Sequence, residues 1–569
     1  MCALAPEVQA APATPSGPAS FLNSAVAPSA GALNQQIEHE RERELNRSQA
    51  QPPLDEETTK GSVPSAGPSL TVKAFRFEGN HLYSSSQLSA VIQSYVDRSV
   101  QFSDLQEASA QIAQFYRRLG WVVKTQLPPQ DIANGVVTIE VIEAKFGRVK
   151  LDGPLSQRVK SEKILAMIAA AQTSGAPLNS NAIDRALALV GDLAGVSVQG
   201  NWAVGEKEGE TDLIIALSDK DWLTADAQTD NTGSRSTGAN RLSANVFLNS
   251  PMGWGDLLGL NLLATAGSGY VRGSETVPLG HNGLKLGLNA SSLSYHLVSQ
   301  DFSALNASGV ATSFGLELSY PLIKSRPSSV TVALSADHKH YLNDAQGAVA
   351  SDYLNTPVAI TFSGLQSDAF AGGGNSYASL SWSAGRINYD RSPLQFQASD
   401  AITTQAAGRY SKTRYALSRE QSLFSGLSLY GAVSGQLAKK NLDSSEKFYL
   451  GGINGVRAYP SNEAGGSNAQ VLNLELRSLW RERVSVSAFV DYGRVMINSD
   501  PQFAGAPALN QYALKGAGVT LGFQAPSGAS LKATVAQRIG NNPNPSSSGN
   551  DQDGSLVKTR IWLHANVPF

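Results

Sequence analysis

Residues Val557 to Phe569 alternate with a period of two. Val557, Thr559, Ile561, Leu563, Ala565, Val567 and Phe569 fall on one side, and Lys558, Arg560, Trp562, His564, Asn566 and Pro568 on the other. A period of two is a strand with one apolar and one wet face. The pattern recurs. Leu242, Ala244, Val246 and Leu248 alternate with Arg241, Ser243, Asn245 and Asn249, and similar runs start near Leu258, Val330, Leu472 and Val484. Gly-, Ser- and Asn-rich loops separate them. A soluble sheet accommodates one or two such runs. Six of them across residues 222–569 predict a closed β-barrel in lipid with a watery interior. A spanning strand with its share of turn takes about 20–24 residues. Residues 222–569 therefore predict about 16 strands, a size that leaves an aqueous lumen.

Composition agrees with this reading and excludes others. At 569 residues the chain exceeds one ordinary domain. Its 45 Lys+Arg nearly balance 47 Asp+Glu, and no basic run or basic helix occurs, so no nucleic-acid partner is expected. No run of 18 apolar residues exists for a transmembrane helix. A mean hydropathy of -0.17 suits a barrel, because lumen residues dilute the lipid-facing ones. The lone Cys2 excludes an internal disulfide and a Cys-based zinc site. Residues Met1 to Ala13 lack the basic segment and apolar core of a leader. A chain bound for an outer membrane needs one, so the leader is expected to have been trimmed.

Before Trp222 the periodicity differs. Residues 1–30 are rich in Ala, Pro and Ser and are expected to be disordered. Residues 31–47 predict a helix whose only large apolar residues are Leu33, Ile37 and Leu45. A helix this polar is either solvated or lodged in a polar channel. Residues 48–69, with Pro52, Pro53, Pro64 and Pro68, read as a linker; extended, it reaches roughly 70 Å. Residues 70–144 then predict a strand (Val72 to Phe77), a helix (Leu88, Val91, Ile92, Tyr95), a second helix from Leu105 to Leu119 stopped by Gly120, and two strands, Val122 to Gln126 and Val136 to Ile142. Residues 145–219 repeat that order, with strands at Arg148–Leu151, Val196–Trp202 and Thr211–Leu217 and helices carrying Ile164, Ile168, Ile183, Leu187 and Val190. This is an internal repeat of two small α+β units.

The sharpest motif lies in a loop between two alternating runs: Phe448-Tyr449-Leu450-Gly451-Gly452-Ile453-Asn454-Gly455-Val456-Arg457-Ala458-Tyr459-Pro460. A second, Phe489-Val490-Asp491-Tyr492-Gly493, sits on a strand with Asp491 on the wet face. With these two motifs the chain resembles two-partner secretion transporters, the TpsB family of the BamA-like outer-membrane superfamily. Asp230-Asn231, Gly233, Thr237-Gly238 and Arg241 resemble the family's opening barrel segment, and Pro251-Met252-Gly253-Trp254-Gly255-Asp256 its first turn.

The resemblance implies a fold and a set of roles. The barrel is preceded by two POTRA domains, 70–144 and 145–219 (ShlB-type), which face the periplasm and bind unfolded clients along strand edges. The helix 31–47 is a plug. A hairpin folds back into the barrel with Val456, Arg457, Ala458 and Tyr459 at its tip; Ala458 stands where glycine is commoner. Arg457 pairs with the lumen strand carrying Phe489, Asp491 and Gly493, since a guanidinium–carboxylate fork anchors a loop reversibly. Phe569 is the signal read by the barrel assembly machinery, a partner during biogenesis. The function implied is export, from periplasm to cell surface of a Gram-negative bacterium, of a large unfolded exoprotein of haemolysin, haemagglutinin or adhesin type bearing an amino-terminal secretion domain, with activation of that client left open. An insertase of other barrels, a passive porin and a soluble β-rich binding protein are the alternatives. The insertases usually carry more than two POTRA units, and a porin lacks the periplasmic half.

Three decoys are set aside. Val271-Arg272-Gly273 echoes the loop tip without its aromatic and reads as an ordinary loop. Gly451-Gly452 through Gly455 opens no helix, so it is not a phosphate loop. His338 and His340 lack a third metal ligand. No nucleophile–base pair argues for an enzyme, and no cofactor is expected.

Overall fold

The structure, a computed structural model, describes residues 29–48, 70–481 and 483–569. Cys2, nearly all of the expected disordered amino terminus 1–30 and the linker 48–69 beyond Ser48 lie outside the described residues.

The first α+β unit is a three-stranded sheet under two helices. Ala74–Glu78 runs parallel to Val136–Glu143, which pairs antiparallel with Val123–Gln126. Ser84 caps the helix Ser85–Val91, its hydroxyl accepting from the Gln87 N–H. The helix Phe102–Arg118 lays Leu105, Ile112 and Tyr116 on the sheet, where they meet Val137 and Ile139 in a dry core. The second unit repeats the plan: Lys145–Asp152 is parallel to Glu210–Asp219, which is antiparallel to Val196–Val204, and the helices are Ser161–Ala171 and Ser180–Gly191. The first unit adds a small pair that the order of elements did not predict, Leu70–Val72 with Arg98–Val100.

From Leu223 onward the chain closes a barrel. Ala348–Asn355 and Val358–Asp368 both pair with Ser328–Ala345, so they are one strand interrupted at Thr356-Pro357, and the wall has sixteen strands, each antiparallel to its neighbours. The Asp337 N–H donates to the Pro357 carbonyl across that interruption (3.0 Å). The last strand, Thr559–Pro568, closes on the first, Leu223–Asp230, from His564 opposite Asp230 to Pro568 opposite Asp226. Leu258, Leu260 and Leu262 face outward, as do Ile561 and Leu563, while Trp562 points in and is buried. An outer wall of Leu, Val and Phe around a polar bore is stable only in lipid.

The second α+β unit is pinned to one end of the barrel at three successive turns. At the first, Ser250 Oγ donates to the Arg158 carbonyl (2.9 Å) and the Lys160 N–H to the Gly253 carbonyl (3.0 Å). At the second, Lys163 Nζ donates to the Pro278 carbonyl (2.9 Å). At the third, Arg185 Nη2 donates to the Pro321 carbonyl (2.6 Å) and Lys324 pairs with Asp192 (2.7 Å).

The helix Ala30–Ser48 lies inside the bore. Of the two places open to so polar a helix, it occupies the channel, and its anchors are polar. The Ala30 N–H donates to Asn343 Oδ1 (2.8 Å). Glu38 meets Arg272 (3.1 Å) and the Tyr270 hydroxyl. Glu40 meets Arg241 (2.6 Å), which also pairs with Asp230 (2.8 Å). The reading of Val271-Arg272-Gly273 as a loop is thereby corrected: the segment lies within the strand Ser268–Leu279, and Arg272 faces the bore. Its Gly and charge resembled loop composition because a lumen-facing strand tolerates both.

Candidate functional site

The loop between the strands Leu427–Ala438 and Asn468–Trp480 turns back into the bore. Phe448–Tyr449 pairs with Gly465–Gly466 to form its stem. Its tip is knit by its own backbone: the Val456 N–H donates to the Leu450 carbonyl (2.7 Å) and the Gly452 N–H to the Tyr459 carbonyl (3.1 Å). Leu450, Val456, Ala458 and Tyr459 are all buried, in one cluster with Phe489 and Val495 of the wall.

Arg457 and Asp491 come together. Arg457 Nε and Nη2 donate to the two carboxylate oxygens of Asp491 (2.9 and 2.7 Å), and the Arg457 backbone N–H adds a third bond (3.0 Å). Asp491 is wholly buried while its neighbour Val490 is half exposed on the lipid face. Phe489 points the same way as Asp491, and its ring lies 3.4 Å from the guanidinium carbon, a cation–π contact under the fork. Gly493 completes that face: a Cβ there would sit 2.9 Å from a Val456 methyl and 3.1 Å from a Leu450 methyl, so any larger residue would press on the tip.

Other partners of Arg457 were visible only as members of wet faces. Glu475 accepts from Nη1 (2.7 Å) and in turn pairs with Arg477 (2.8 Å), which reaches Glu420 (2.9 Å). Asn473 donates both to Asp491 (2.7 Å) and to the Gly455 carbonyl (3.0 Å). Trp562 Nε1, from the last strand, donates to the Arg457 carbonyl (2.8 Å). Each guanidinium nitrogen of Arg457 donates to a buried carboxylate, and this pairing offsets the desolvation of the charges.

Ala458 costs nothing in place of glycine, since it is not among the left-handed residues of the chain. The space is found on the wall instead, where a Cβ on Gly516 would lie 2.7 Å from the Ala458 Cβ. Gly516→Val is expected to unseat the tip. Protease cleavage of the loop in intact cells measures this, and a cleavage rate equal to that of the parent chain counts against it.

A second latch ties the loop to residues 539–558. Glu463 accepts from the Gln552 N–H and Asn542 Nδ2, both at 2.8 Å, with Asp551 and Asp553 near it. Burial pushes its carboxyl up to about 7, against the pull of those two hydrogen bonds. A folded-state value above the ordinary carboxylate range means that the fold favours the neutral form. That contribution is complete below the ordinary value and is lost as pH rises through about 7. The heat-unfolding midpoint of the barrel is expected to fall between pH 5 and pH 8, and Glu463→Gln to flatten that fall. Parallel curves for parent and variant would sink the assignment.

A model of the haemolysin secretion/activation protein ShlB/FhaC/HecB family matches residues 209–524, more than half of the chain. The chain belongs to that family. A model of the ShlB-type POTRA domain matches residues 70–144, the first of the two α+β units. Among relatives, the heme/hemopexin transporter protein HuxB of Haemophilus influenzae (strain 86-028NP) is 26% identical over 464 residues, 80% of this chain and 81% of that protein. The outer membrane transporter CdiB of Escherichia coli O6:K15:H31 (strain 536 / UPEC) is 24% identical over 42% of this chain and 40% of its own length. Among solved structures, CdiB from Escherichia coli superposes with a TM-score of 0.74 at 16% identity, covering 96% of this chain and all of that one. CdiB from Acinetobacter baumannii gives 0.70 at 16% identity over the same shares. The fold is therefore that of a two-partner secretion transporter of the outer membrane, with its POTRA units in the periplasm and the turns that the second α+β unit touches at the periplasmic mouth. The family is one of translocases, and the barrel-assembly alternative is not favoured.

Proposed function

We propose that this transporter exports one large exoprotein, of haemolysin, haemagglutinin or adhesin type, through the bore occupied here by the helix Ala30–Ser48. The single observation that carries the reading is the nature of the obstruction. Besides small apolar contacts, helix and loop are anchored in the bore by ion pairs and hydrogen bonds, from Glu38 to Arg272, Glu40 to Arg241 and Arg457 to Asp491. Polar contacts exchange with water and with a passing backbone, whereas a packed apolar plug would not.

The client arrives unfolded, with its amino-terminal secretion domain docking as an added strand on the periplasmic units 70–144 and 145–219. Helix 31–47 leaves as a plug, the loop rearranges around Arg457, and the chain threads to the surface. Folding outside supplies the bias, and no nucleotide or cofactor takes part. Phe569 is the assembly signal. Its backbone N–H donates to the Ala225 carbonyl (2.7 Å) while its ring is left exposed on the outer wall, where assembly machinery reaches it. The test is co-expression with the exoprotein encoded beside it. Export of that exoprotein, and not of an unrelated periplasmic protein, is expected. Equal release of both would indicate a leaky porin.

A further inference from the structure

Apart from the wall under the loop tip, one row of this polar bore is apolar across five neighbouring strands. Tyr270, Leu293, Ala311, Tyr341 and Tyr353 are consecutive cross-strand partners on five neighbouring strands, and all five are buried. They face inward, because Val271 and Val310 beside them are exposed on the lipid side. The next inward row toward the periplasm reads Arg272, Ser291, Ser313, Lys339, Asn355. The next toward the surface reads Ser268, Tyr295, Gly309, Asn343, Ser351. A band one residue wide thus runs between two largely polar ones. Four strand spacings of about 4.8 Å make it about 19 Å long, the span of about six extended residues. Barrel strands tilt by about 35–45°, so the row is inclined along the bore and is not a flat ring.

The helix sits on this row with its sparse apolar face: Ala30, Leu33 and Ile37 pack against it. The fit is close, since a Cβ on Gly31 would lie 2.8 Å from the Tyr353 hydroxyl. All three of the row's hydroxyls are already engaged, those of Tyr270 and Tyr341 by Glu38 and Asn34 of the helix and that of Tyr353 by Asp443 of the folded-back loop (2.9 Å). What the row offers a guest is chiefly ring faces.

We infer that this row is a rail for the exported chain: when the helix withdraws, apolar side chains of an extended, unfolded polypeptide take the places of Leu33 and Ile37 on Tyr270, Leu293, Ala311, Tyr341 and Tyr353. The inference rests on the reading that the client passes through the bore. Row residues stand about 4.8 Å apart, whereas same-face residues of an extended chain stand about 6.6 Å apart. The two spacings do not match, so no register locks and the guest slides. Tyrosine suits such a surface because its ring takes apolar contact while its hydroxyl bonds either to the protein, as in Tyr353 to Asp443, or to the water that fills the bore once the helix has left.

The test uses planar bilayers and the chain lacking residues 1–47, whose described part is helix and not wall; its insertion is checked by heat-modifiable migration. Two synthetic peptides of equal length are added on the periplasmic side, one of glycine and serine only, the other with leucine at every fourth position. Blocks by the leucine peptide are expected to last ~10-fold longer, which corresponds to about 1.4 kcal/mol. Tyr341→Ser together with Tyr353→Ser abolishes the difference, phenylalanine at both positions preserves it, and Thr361→Ser, off the row, leaves it unchanged. Leu293→Ser is read in parallel in case the double variant does not insert. Equal dwell times for the two peptides, or a difference that survives the serine variants, would overturn the rail while leaving the conduit intact. No block by either peptide would overturn the conduit and the rail together.

Discussion

Arg457→Ala is expected to reduce export ~10²-fold or more while leaving the barrel inserted and heat-modifiable. The substitution removes the fork to Asp491, the bond to Glu475 and the cation over Phe489 at once. It leaves the buried Asp491 carboxylate without its cation, diagonally across neighbouring strands from Glu475, which keeps only Arg477. Breaking a buried pair in this way costs about 3–5 kcal/mol, enough to shift the loop from seated to unseated by ~10²–10⁴. The ladder does not pass through Arg457, so closure of the wall survives. Arg457→Lys keeps the charge but cannot fork to both oxygens, and is expected to restore only a small part of export. Immunoblots of exoprotein in the medium against transporter in the outer membrane measure both quantities. Undiminished export with Arg457→Ala would remove the loop from the mechanism.

Deleting residues 1–47 is expected to raise single-channel conductance severalfold without abolishing export. An α-helix with its side chains is about 10–12 Å across and fills most of the free section of a bore this size. Removing it takes away Glu38 and Glu40 and leaves Arg272 on the wall without its carboxylate, while Arg241 keeps Asp230. The open channel is therefore also expected to favour anions. A conductance equal to that of the full chain would refute the role of plug.

Much of this arrangement could be read in the sequence, for one physical reason: a wall between lipid and water forces alternation. Asp491 and Glu475 both fell on wet faces of their strands, and their cross-strand neighbours Asn473 and Phe489 fell with them. What alternation cannot give is register. Nothing in the sequence aligns Asn473 with Asp491 or brings Trp562 from the last strand to the Arg457 carbonyl, because those pairings are set by closure of the whole cylinder. Alternation also fails where the bore itself is apolar. In Leu284–His296 the inward positions include Leu293 and Tyr295 and the outward ones Ser292 and Ser294, the reverse of the rule, so this strand gave no clear run. The polar helix could be described but not located. Its charges fit open water as well as a wet tunnel, and only Arg241 and Arg272 on the far side decide between them.

The three-point attachment of the second periplasmic unit fixes a bearing. With Arg158, Lys163 and Arg185 each tied to a different hairpin, that unit has no axis left about which to swing. On the proposed route, cargo handed over by its neighbour would meet the mouth at one sector of the rim. A chimera that grafts a relative's amino-terminal half onto this cylinder would need to carry across the three rim turns as well, or its delivery angle would be wrong even though both halves fold.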